Sequence, residues 1–373
     1  MSVPVPLSVL RLCALLLLTA IVSGCATTGV RGQLDYDVRP KSQRADVVWP
    51  SPPEKPRYRY VGELVGEQNF MRNDQGQASL TSAMKWLVGL FEKTEPLMLL
   101  RPQHGAVADN GRIYVVDAGR SALMVFDPHP PAGEKADKDG GQLLVWDAPA
   151  ENIRFAGPAA VAIAWNGDIV VSDAKLGVVL RLNPKGELVG WMGEGHLKRP
   201  TGLAFDSKRG LLFVADTVAN DIKVYDEGAQ LLNTIGGAGE RTGLLNAPTH
   251  LSFADGFLYV TDTYNSRIQV YDADGLHIRS FGERGLYVGN LARPKGVAAG
   301  EGGIVYVVES YYGHLLVFNQ RDQLLLGING SGIKGDRFFL PSGVWTDNKG
   351  RIYLADMFNG RVVVFQFLGN KDE

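Results

Sequence analysis

The sequence predicts an all-β fold built from six copies of one small sheet, and three observations support this prediction. Glycine is in excess, at 45 of 373 residues, without the three-residue period of collagen, which indicates many tight turns. The apolar segments are short, rich in Val, Ile, Leu, Tyr and Phe, and separated by turn residues, as is typical of strands joined in hairpins. One pattern, in which a proline and a strand are followed by a turn and a second strand ending in an acid, recurs six times.

The six units share two landmarks, a proline at the start of the first strand and an acid at the end of the second. The acids follow the prolines by 14 to 16 residues. The landmark pairs are Pro102 and Asp117, Pro158 and Asp173, Pro200 and Asp216, Pro248 and Asp262, Pro294 and Glu309, and Pro341 and Asp356. The fourth unit shows four strands, and a four-stranded sheet of this length is a propeller blade, because it buries both faces only by packing against its neighbours. The sequence therefore predicts a six-bladed β-propeller over residues 101–369.

Residues 57–94 precede the first unit and carry two further predicted elements. The sixth unit ends after its third strand, and residues 57–67 resemble the fourth strands of other units, so this segment is predicted to complete the sixth blade and close the ring. Residues 78–94 are predicted to form a short amphipathic helix, because Leu80, Met84, Leu87 and Phe91 recur at helical spacing. This helix would either touch a membrane or partner, or pack against the propeller.

The pattern of the N-terminal residues predicts that the protein is exported. In residues 1–24, Arg11 precedes an apolar run that is too short to span a membrane, which is typical of a signal peptide. The string VSGC at residues 22–25 resembles the lipobox of bacterial lipoproteins, and this resemblance implies cleavage before Cys25 and acylation of its thiol. Ala26 follows the cysteine, where an aspartate would resemble an inner-membrane retention signal. The resemblance therefore implies the periplasmic face of the outer membrane. The alternative is a plain secretory signal, and in either case the mature domain has no disulfide, since Cys13 is removed.

Residues 25–56 are polar and rich in proline. A segment of this composition buries little surface, and proline stiffens it. We therefore expect the lipidated cysteine to be followed by a tether that holds the propeller away from the bilayer.

The repeat resembles the NHL repeat. The likeness is closest in the fourth unit, where Asp262, Asn265, Arg267, Ile268 and Val270 stand in the places of that family. It extends over nearly all of the chain from Arg101 to Phe367, whereas the signatures of WD-type and Kelch blades are absent. The order of parts also resembles a group of bacterial NHL-propeller lipoproteins, a resemblance that implies fold and location but no reaction.

The six landmark acids invite a metal-binding interpretation, but a structural role is favoured. A carboxylate that closes a strand before a turn accepts hydrogen bonds from the backbone of that turn. In the fourth and sixth units, an asparagine and an arginine follow the acid and can tie it to the next strand.

Two histidines stand out. His104 and His250 lie two residues after the landmark prolines of the first and fourth units, where the third, fifth and sixth units have glycine. A six-bladed ring places these two blades opposite each other, so both imidazoles are expected at the mouth of the central channel. They would either hold a divalent metal or polarise a ligand, or provide polar lining. Propeller lyases acting on peptidyl hydroxyglycine hold zinc with three histidines, and this sequence has two.

Four aromatic residues follow the landmark acids of the last three units. The loop between the second and third strands lies on the same side as the start of the first strand, so these rings are expected around the two histidines. They are Tyr264, Tyr311, Tyr312 and Phe358. Exposed rings of this kind are typical of interface hot spots, and the alternative is that they fold over their own blades. Arg120 and Lys175 would stand on the opposite half of the rim.

The predicted function is a lipid-anchored, non-enzymatic binding scaffold of the cell envelope. Its partner would be a protein, peptide or glycan held by the two histidines and the four aromatic residues, without a cofactor. The alternative is a metal-assisted lyase or hydrolase at the channel mouth. A nucleic-acid partner is not expected, since the formal net charge is −2.

Overall fold

A computed structural model describes residues 25–39, 46–70, 96–129, 140–330 and 337–369. In these ranges the chain forms six antiparallel sheets and a few 3-10 turns, without an α-helix, and no helix there is long and apolar enough to cross a membrane. The predicted signal peptide (1–24) and the predicted helix (78–94) lie outside the described residues. The 3-10 turns are Glu67–Phe70, Trp165–Gly167, Thr263–Asn265, Glu301–Gly303 and Met357–Asn359.

Each sheet is one blade, and the strands that come after its landmark proline follow one another in chain order. Three strands precede the first landmark proline: β1 (Cys25–Gly32), β2 (Val48–Trp49) and β3 (Tyr58–Leu64). Blade one has β4 (Pro102–Val107), β5 (Ile113–Asp117), β6 (Ala122–Asp127) and β7 (Gly141–Trp146). Blade two has β8 (Pro158–Ile163), β9 (Ile169–Asp173), β10 (Val178–Leu182) and β11 (Leu188–Met192). Blade three has β12 (Pro200–Asp206), β13 (Leu211–Asp216), β14 (Asp221–Tyr225) and β15 (Leu231–Gly236).

The remaining three blades repeat this arrangement. Blade four has β16 (Pro248–Ala254), β17 (Phe257–Asp262), β18 (Arg267–Asp272) and β19 (His277–Phe281). Blade five has β20 (Pro294–Ala299), β21 (Val305–Glu309), β22 (His314–Phe318) and β23 (Leu324–Ile328). Blade six has β24 (Val344–Thr346), β25 (Arg351–Asp356) and β26 (Arg361–Phe367). The first strands of successive blades contact one another and β24 contacts β4, so the ring is closed around a hub of six first strands.

The core lies between adjacent blades. Second strands such as β5 and β9 are buried at every position, because both faces of each sheet are covered by neighbouring blades. The outer strands are half-exposed; β11 and β19, for example, alternate between partly buried and exposed residues. This pattern explains why the inner strands are continuously apolar in sequence whereas the outer strands are mixed.

The predicted ring closure is confirmed. Strand β3 pairs antiparallel with β26, with Leu64 opposite Val362 and Tyr58 opposite Phe367, and so supplies the fourth strand of blade six. The N-terminal strand therefore covers the edge that the C-terminal blade would otherwise leave open.

The described parts of residues 25–56 do not form the predicted tether. Strand β1 pairs with β7 as a fifth strand of blade one, and β2 pairs with β3 as a fifth strand of blade six. Between them the Tyr36 hydroxyl accepts a hydrogen bond from Arg351 at 2.9 Å, and the guanidinium lies 5.2 Å from the tyrosine ring. The physical reason is that the outer edges of both blades offer unpaired backbone groups, which an extended polar segment can satisfy as well as an apolar one.

Candidate functional site

The candidate site lies on the face of the propeller that carries the landmark prolines and acids, here called the mouth face. The first strands crowd together at the hub beneath it. A Cβ atom added to Gly202 would lie 2.6 Å from the Cα atom of His250, and one added to Gly343 would lie 2.4 Å from the carbonyl oxygen of Gln103. Because only glycine fits at these positions, the side chains that fill the hub come from the blades with histidine.

The structure brings His104 and His250 together. Their ring centroids are 5.7 Å apart, and both residues are more than nine-tenths buried. The Nδ1 atom of His104 accepts a long hydrogen bond of 3.5 Å from the backbone N–H of Val161, and its ring lies 5.8 Å from that of Trp345. The imidazoles are therefore part of the packed hub as well as the floor beneath the mouth face.

Both histidines are neutral at neutral pH. Burial lowers the pKa of His104 from 6.5 to about 4, and burial together with His104 and Lys295 lowers the pKa of His250 well below 6.5. Within the part of the chain that the structure describes, no group of three or more His, Cys, Asp or Glu residues could hold a metal ion. Among the described residues, the buried Nδ1 atom of His250 has no hydrogen-bond partner.

The landmark acids have the structural role that the sequence favoured. Asp216 accepts hydrogen bonds from the backbone N–H groups of Lys198 and Arg199 at 2.7 and 3.0 Å. Glu309 accepts in the same way from Arg293 at 2.8 Å and from Tyr312 at 2.6 Å. Each acid thus ties the residues just before the landmark proline of its own blade to the loop after the second strand, and thereby fixes the backbone of the mouth face.

A cavity of about 580 Å³ opens on the mouth face above the two histidines, and His250 is part of its lining. We call this cavity the funnel. Its wall carries the residues that directly follow the landmark prolines, which are Gln103, Ala159, Thr201, Thr249, Lys295 and Ser342. Of the described residues, four cations line it, namely Lys175, Arg199, Arg293 and Lys295, and no carboxylate does. Apart from Lys175, these cations escaped the sequence analysis; the one available signal was that Lys295 is the only charged residue directly after a landmark proline.

Two pairs of threonines on the wall have fixed hydrogen bonds. The Oγ1 atoms of Thr201 and Thr217 are 2.7 Å apart, and Thr217 donates to the carbonyl of Pro248 at 2.7 Å. In the next blade the Oγ1 atoms of Thr249 and Thr263 are 2.8 Å apart, and Thr263 donates to the next landmark proline in the same way. Since the protons of these hydroxyls are used within the protein, Thr201 and Thr249 offer lone pairs to the funnel.

Among the described residues, the charged side-chain nitrogens of the four funnel cations have no carboxylate oxygen within 4 Å, although the backbone N–H groups of Arg199 and Arg293 bind landmark acids. Elsewhere in the described chain, arginines such as Arg267 and Arg361 are paired with the landmark acids of their own blades. Burial lowers the pKa of Lys295, and the nearby Arg293 and Arg199 lower it further. Arg293 and Arg199 therefore repel Lys295, and the charged groups of the funnel are not held in ion pairs by the described residues.

The four aromatic residues predicted for the rim project from the mouth face, where they form a group that we call the crescent. Tyr264 is 54% exposed and Tyr311 is 64% exposed, and Tyr312 and Phe358 are also exposed, so the rings do not fold over their own blades. Tyr311 and Tyr312 are 4.9 Å apart in an edge-on arrangement, and the guanidinium of Arg101 lies 5.6 Å from the ring of Phe358.

The sequence analysis missed one extension of the crescent. Phe339 is 56% exposed and lies 5.4 Å from Phe358, and Leu340 beside it is also exposed. The sequence contains a signal for this extension. Phe339 and Leu340 come just before Pro341, and at the position of Leu340 the first, third and fifth units have arginine. Together these residues extend the apolar surface to the blade six side of the rim.

Comparisons with known proteins agree with this architecture. The NHL repeat family matches residues 245–271, which are in blade four and its approach. No curated protein is significantly similar in sequence. Among solved structures, virginiamycin B lyase from Staphylococcus aureus is similar with a TM-score of 0.52 and 12% identity, over 72% of this chain and 95% of that chain. An auxiliary nutrient binding protein from Bacteroides ovatus is similar with a TM-score of 0.52 and 16% identity, over 72% of this chain and 69% of that chain.

At these identities the likeness shows the fold alone and transfers no activity. The match in blade four, the five further copies of its pattern and the six observed sheets agree with one another. The chain therefore has the fold of a six-bladed β-propeller, and its fourth blade matches the NHL repeat.

Proposed function

We propose that this protein is a non-catalytic binding scaffold of the cell envelope, which holds a protein, peptide or glycan partner on its mouth face. The observation that carries the proposal is the exposure of the crescent. Large, rigid rings with a hydroxyl at the wet edge give contact area at a small cost in conformational entropy, and such residues dominate interface energetics.

The position of the crescent adds support. Tyr264, Tyr311 and Phe358 come from three successive blades, so they occupy about half of one rim beside a polar funnel. A surface that is apolar on one side and polar on the other suits a partner with both kinds of group. The backbone of the mouth face is tied down by the landmark acids, which limits the ordering cost of binding.

Membrane attachment through Cys25 belongs to the same proposal. Its support is the VSGC string, which resembles a lipobox, and the exported character of residues 1–24. Pairing of β1 with β7 would then hold the propeller close to its anchor, at the outer edge of blade one. More than one acyl chain on the cysteine is sufficient for stable anchoring.

The alternative, a metal-assisted lyase or hydrolase at the channel mouth, has weaker support. His104 and His250 are packed in the hub, and the described residues provide no third ligand beside them. Structural zinc sites take four protein ligands and catalytic ones three.

The test is crosslinking in native membranes with two paired variants. Tyr311→Ser combined with Phe358→Ser should abolish partner crosslinks, because both rings are removed from the contact surface. The matched control is Trp191→Ser combined with Leu232→Ser, since both residues are 49% exposed on outer strands and neither lines the funnel or belongs to the crescent. Unchanged crosslinks in the first pair, or equal loss in both pairs, would refute the proposal.

A further inference from the structure

We propose that the funnel is a binding site for a small ligand that carries an anionic group and neighbouring hydroxyl groups, the chemistry of a sugar acid. The proposal rests on the proposed function, because it names a ligand class for the same face. It concerns the wall and floor of the funnel, not the crescent.

The charge of the wall argues for the anionic group. Lys175, Arg199, Arg293 and Lys295 come from three different blades and face one cavity without an acid in its lining. The chain as a whole has a formal net charge of −2, so this is a local accumulation that the overall field does not explain. Guanidinium groups bind carboxylates through paired hydrogen bonds, and partial enclosure strengthens the attraction relative to water.

The arrangement of the cations also indicates a ligand rather than internal pairing. A protein that needed them only for stability would place acids beside them, as it does for Arg267 and Arg361. Instead the exposed Arg199 and Arg293 stand near the half-buried Lys295, and the charged side-chain groups of all three form no ion pair with a carboxylate among the described residues. Mutual repulsion of this kind is relieved when an anion binds.

The floor and the remaining wall argue for the hydroxyl groups. The Nδ1 atom of His250 is buried without a partner, and Thr201 and Thr249 offer lone pairs because their protons are used within the protein. A buried polar atom without a partner is costly, and a ligand group that completes its hydrogen bonding contributes affinity and specificity. A ligand hydroxyl can donate to a threonine lone pair, and it can either donate to or accept from the imidazole.

The size of the funnel fits this ligand class. A volume of about 580 Å³ is within the range of small-molecule sites, and the lining is mostly polar around its rim, with small residues such as Ala159 and Ala174 on the blade two side. One sugar ring or a short oligosaccharide end therefore fits without displacing a side chain of the wall.

The test uses glucuronate as the probe, with glucose and inorganic phosphate as the two partial probes, in ligand-observed NMR titrations at low salt. Wild type should bind glucuronate saturably in the millimolar range or tighter, and at least tenfold more tightly than either glucose or phosphate. Lys295→Met and Arg199→Gln should each raise the dissociation constant at least tenfold. Lys208→Met, an exposed lysine in the turn between β12 and β13 on the opposite face, should leave it unchanged within twofold.

Each contrary result overturns a stated part of the inference. Absence of saturable glucuronate binding, or equal binding in wild type and Lys295→Met, removes the site. If glucose binds as tightly as glucuronate, the anionic group does not contribute to affinity. If phosphate binds as tightly as glucuronate, the hydroxyl groups do not contribute. Phe358→Ser should retain glucuronate binding. Glucuronate binding by wild type together with crosslinks that are unchanged in the Tyr311→Ser and Phe358→Ser pair would refute the proposed function alone. Crosslinks that depend on the crescent, without saturable glucuronate binding, would refute this inference alone.

Discussion

The hub and the wall of the funnel use adjacent repeat positions for opposite purposes. The second residue after each landmark proline forms the hub, where His104 and His250 are buried, neutral and packed against first strands. The first residue after the proline forms the wall, where Lys295 remains partly exposed beside two other cations. The hub position therefore mainly closes the ring and leaves the Nδ1 atom of His250 unpaired among the described residues, whereas its neighbour supplies the charge for a ligand.

This difference teaches that an unusual residue in a repeat is not by itself a functional residue. The histidines stand at a repeat position where three other units have glycine, and they are therefore conspicuous in the sequence. Glycine is required at Gly202, Gly296 and Gly343 because neighbouring backbones come within 3 Å of a Cβ position, and the imidazoles fill the space that this crowding leaves. Lys295, directly after a landmark proline, is less conspicuous in the sequence, but the observations that favour ligand binding are stronger for this residue.

The largest effect expected from a substitution at neutral pH is a loss of stability at the hub. Gly202→Ala places a methyl group 2.6 Å from the Cα atom of His250, where backbone must move, so the free energy of unfolding should fall by about 3 kcal/mol. Gly190→Ala is the control, because nothing lies within 4 Å of its Cβ position. Urea denaturation measures both, and equal stability of the two variants would show that the hub is not crowded.

The second expected effect is a pH dependence of the free energy of unfolding that comes from the hub and not from the wall. The pKa of His104 is about 4 in the folded protein and 6.5 when unfolded, so the unfolded state binds more protons between these values. Stability is therefore full above pH 6.5 and falls as the pH drops towards 4, by about 3 kcal/mol from His104 alone, and His250 adds to the loss in the same direction.

His104→Gln should flatten this pH dependence, since glutamine does not titrate and can still accept the N–H of Val161. The exposed His196, replaced by Gln, serves as the control and should retain the full dependence. Urea denaturation at a series of pH values measures the slope. A His104→Gln slope equal to that of wild type would show that His104 is not held neutral.

A third effect has the opposite sign and belongs to the wall. Lys295→Met removes a half-buried charge that Arg293 and Arg199 repel, so the free energy of unfolding should rise by up to about 1 kcal/mol while ligand affinity is lost. Thermal unfolding without ligand is the measurement. A decrease in stability would mean that Lys295 is a structural residue, and the contrast between hub and wall would fail.

The smallest effect is expected at the crescent. Tyr311→Ser and Phe358→Ser replace exposed rings, so each should change the free energy of unfolding by no more than about 0.5 kcal/mol. A loss of more than about 2 kcal/mol in either variant would show that the rings are part of the core.

Much of the architecture was readable from the sequence because it depends on local signals. The phased pairs such as Pro248 and Asp262 gave the number of blades, and the missing fourth strand of the sixth unit identified β3 as the closing strand. The pairing of β1 with β7 was not readable, because CATTGVRG has no alternation of apolar and polar residues and pairs through its backbone. Composition alone therefore predicted a tether.

The candidate site divides in the same way. The exposed rings of Tyr264 and Phe358 could be located from their phase after the landmark acids. The funnel could not be identified, because its charge depends on which arginines and lysines lack an acid neighbour. Arg199 and Arg293 occur in the same sequence position as Arg101, and only the three-dimensional arrangement shows that they share a cavity with Lys295.

The most direct test of the contrast between hub and wall is the dissociation constant of glucuronate measured at pH 7 for Lys295→Met and for His104→Gln, each against wild type. The wall variant should weaken binding at least tenfold and the hub variant less than twofold, provided that both remain folded. Comparable losses in the two variants, or a loss only in His104→Gln, would contradict the account.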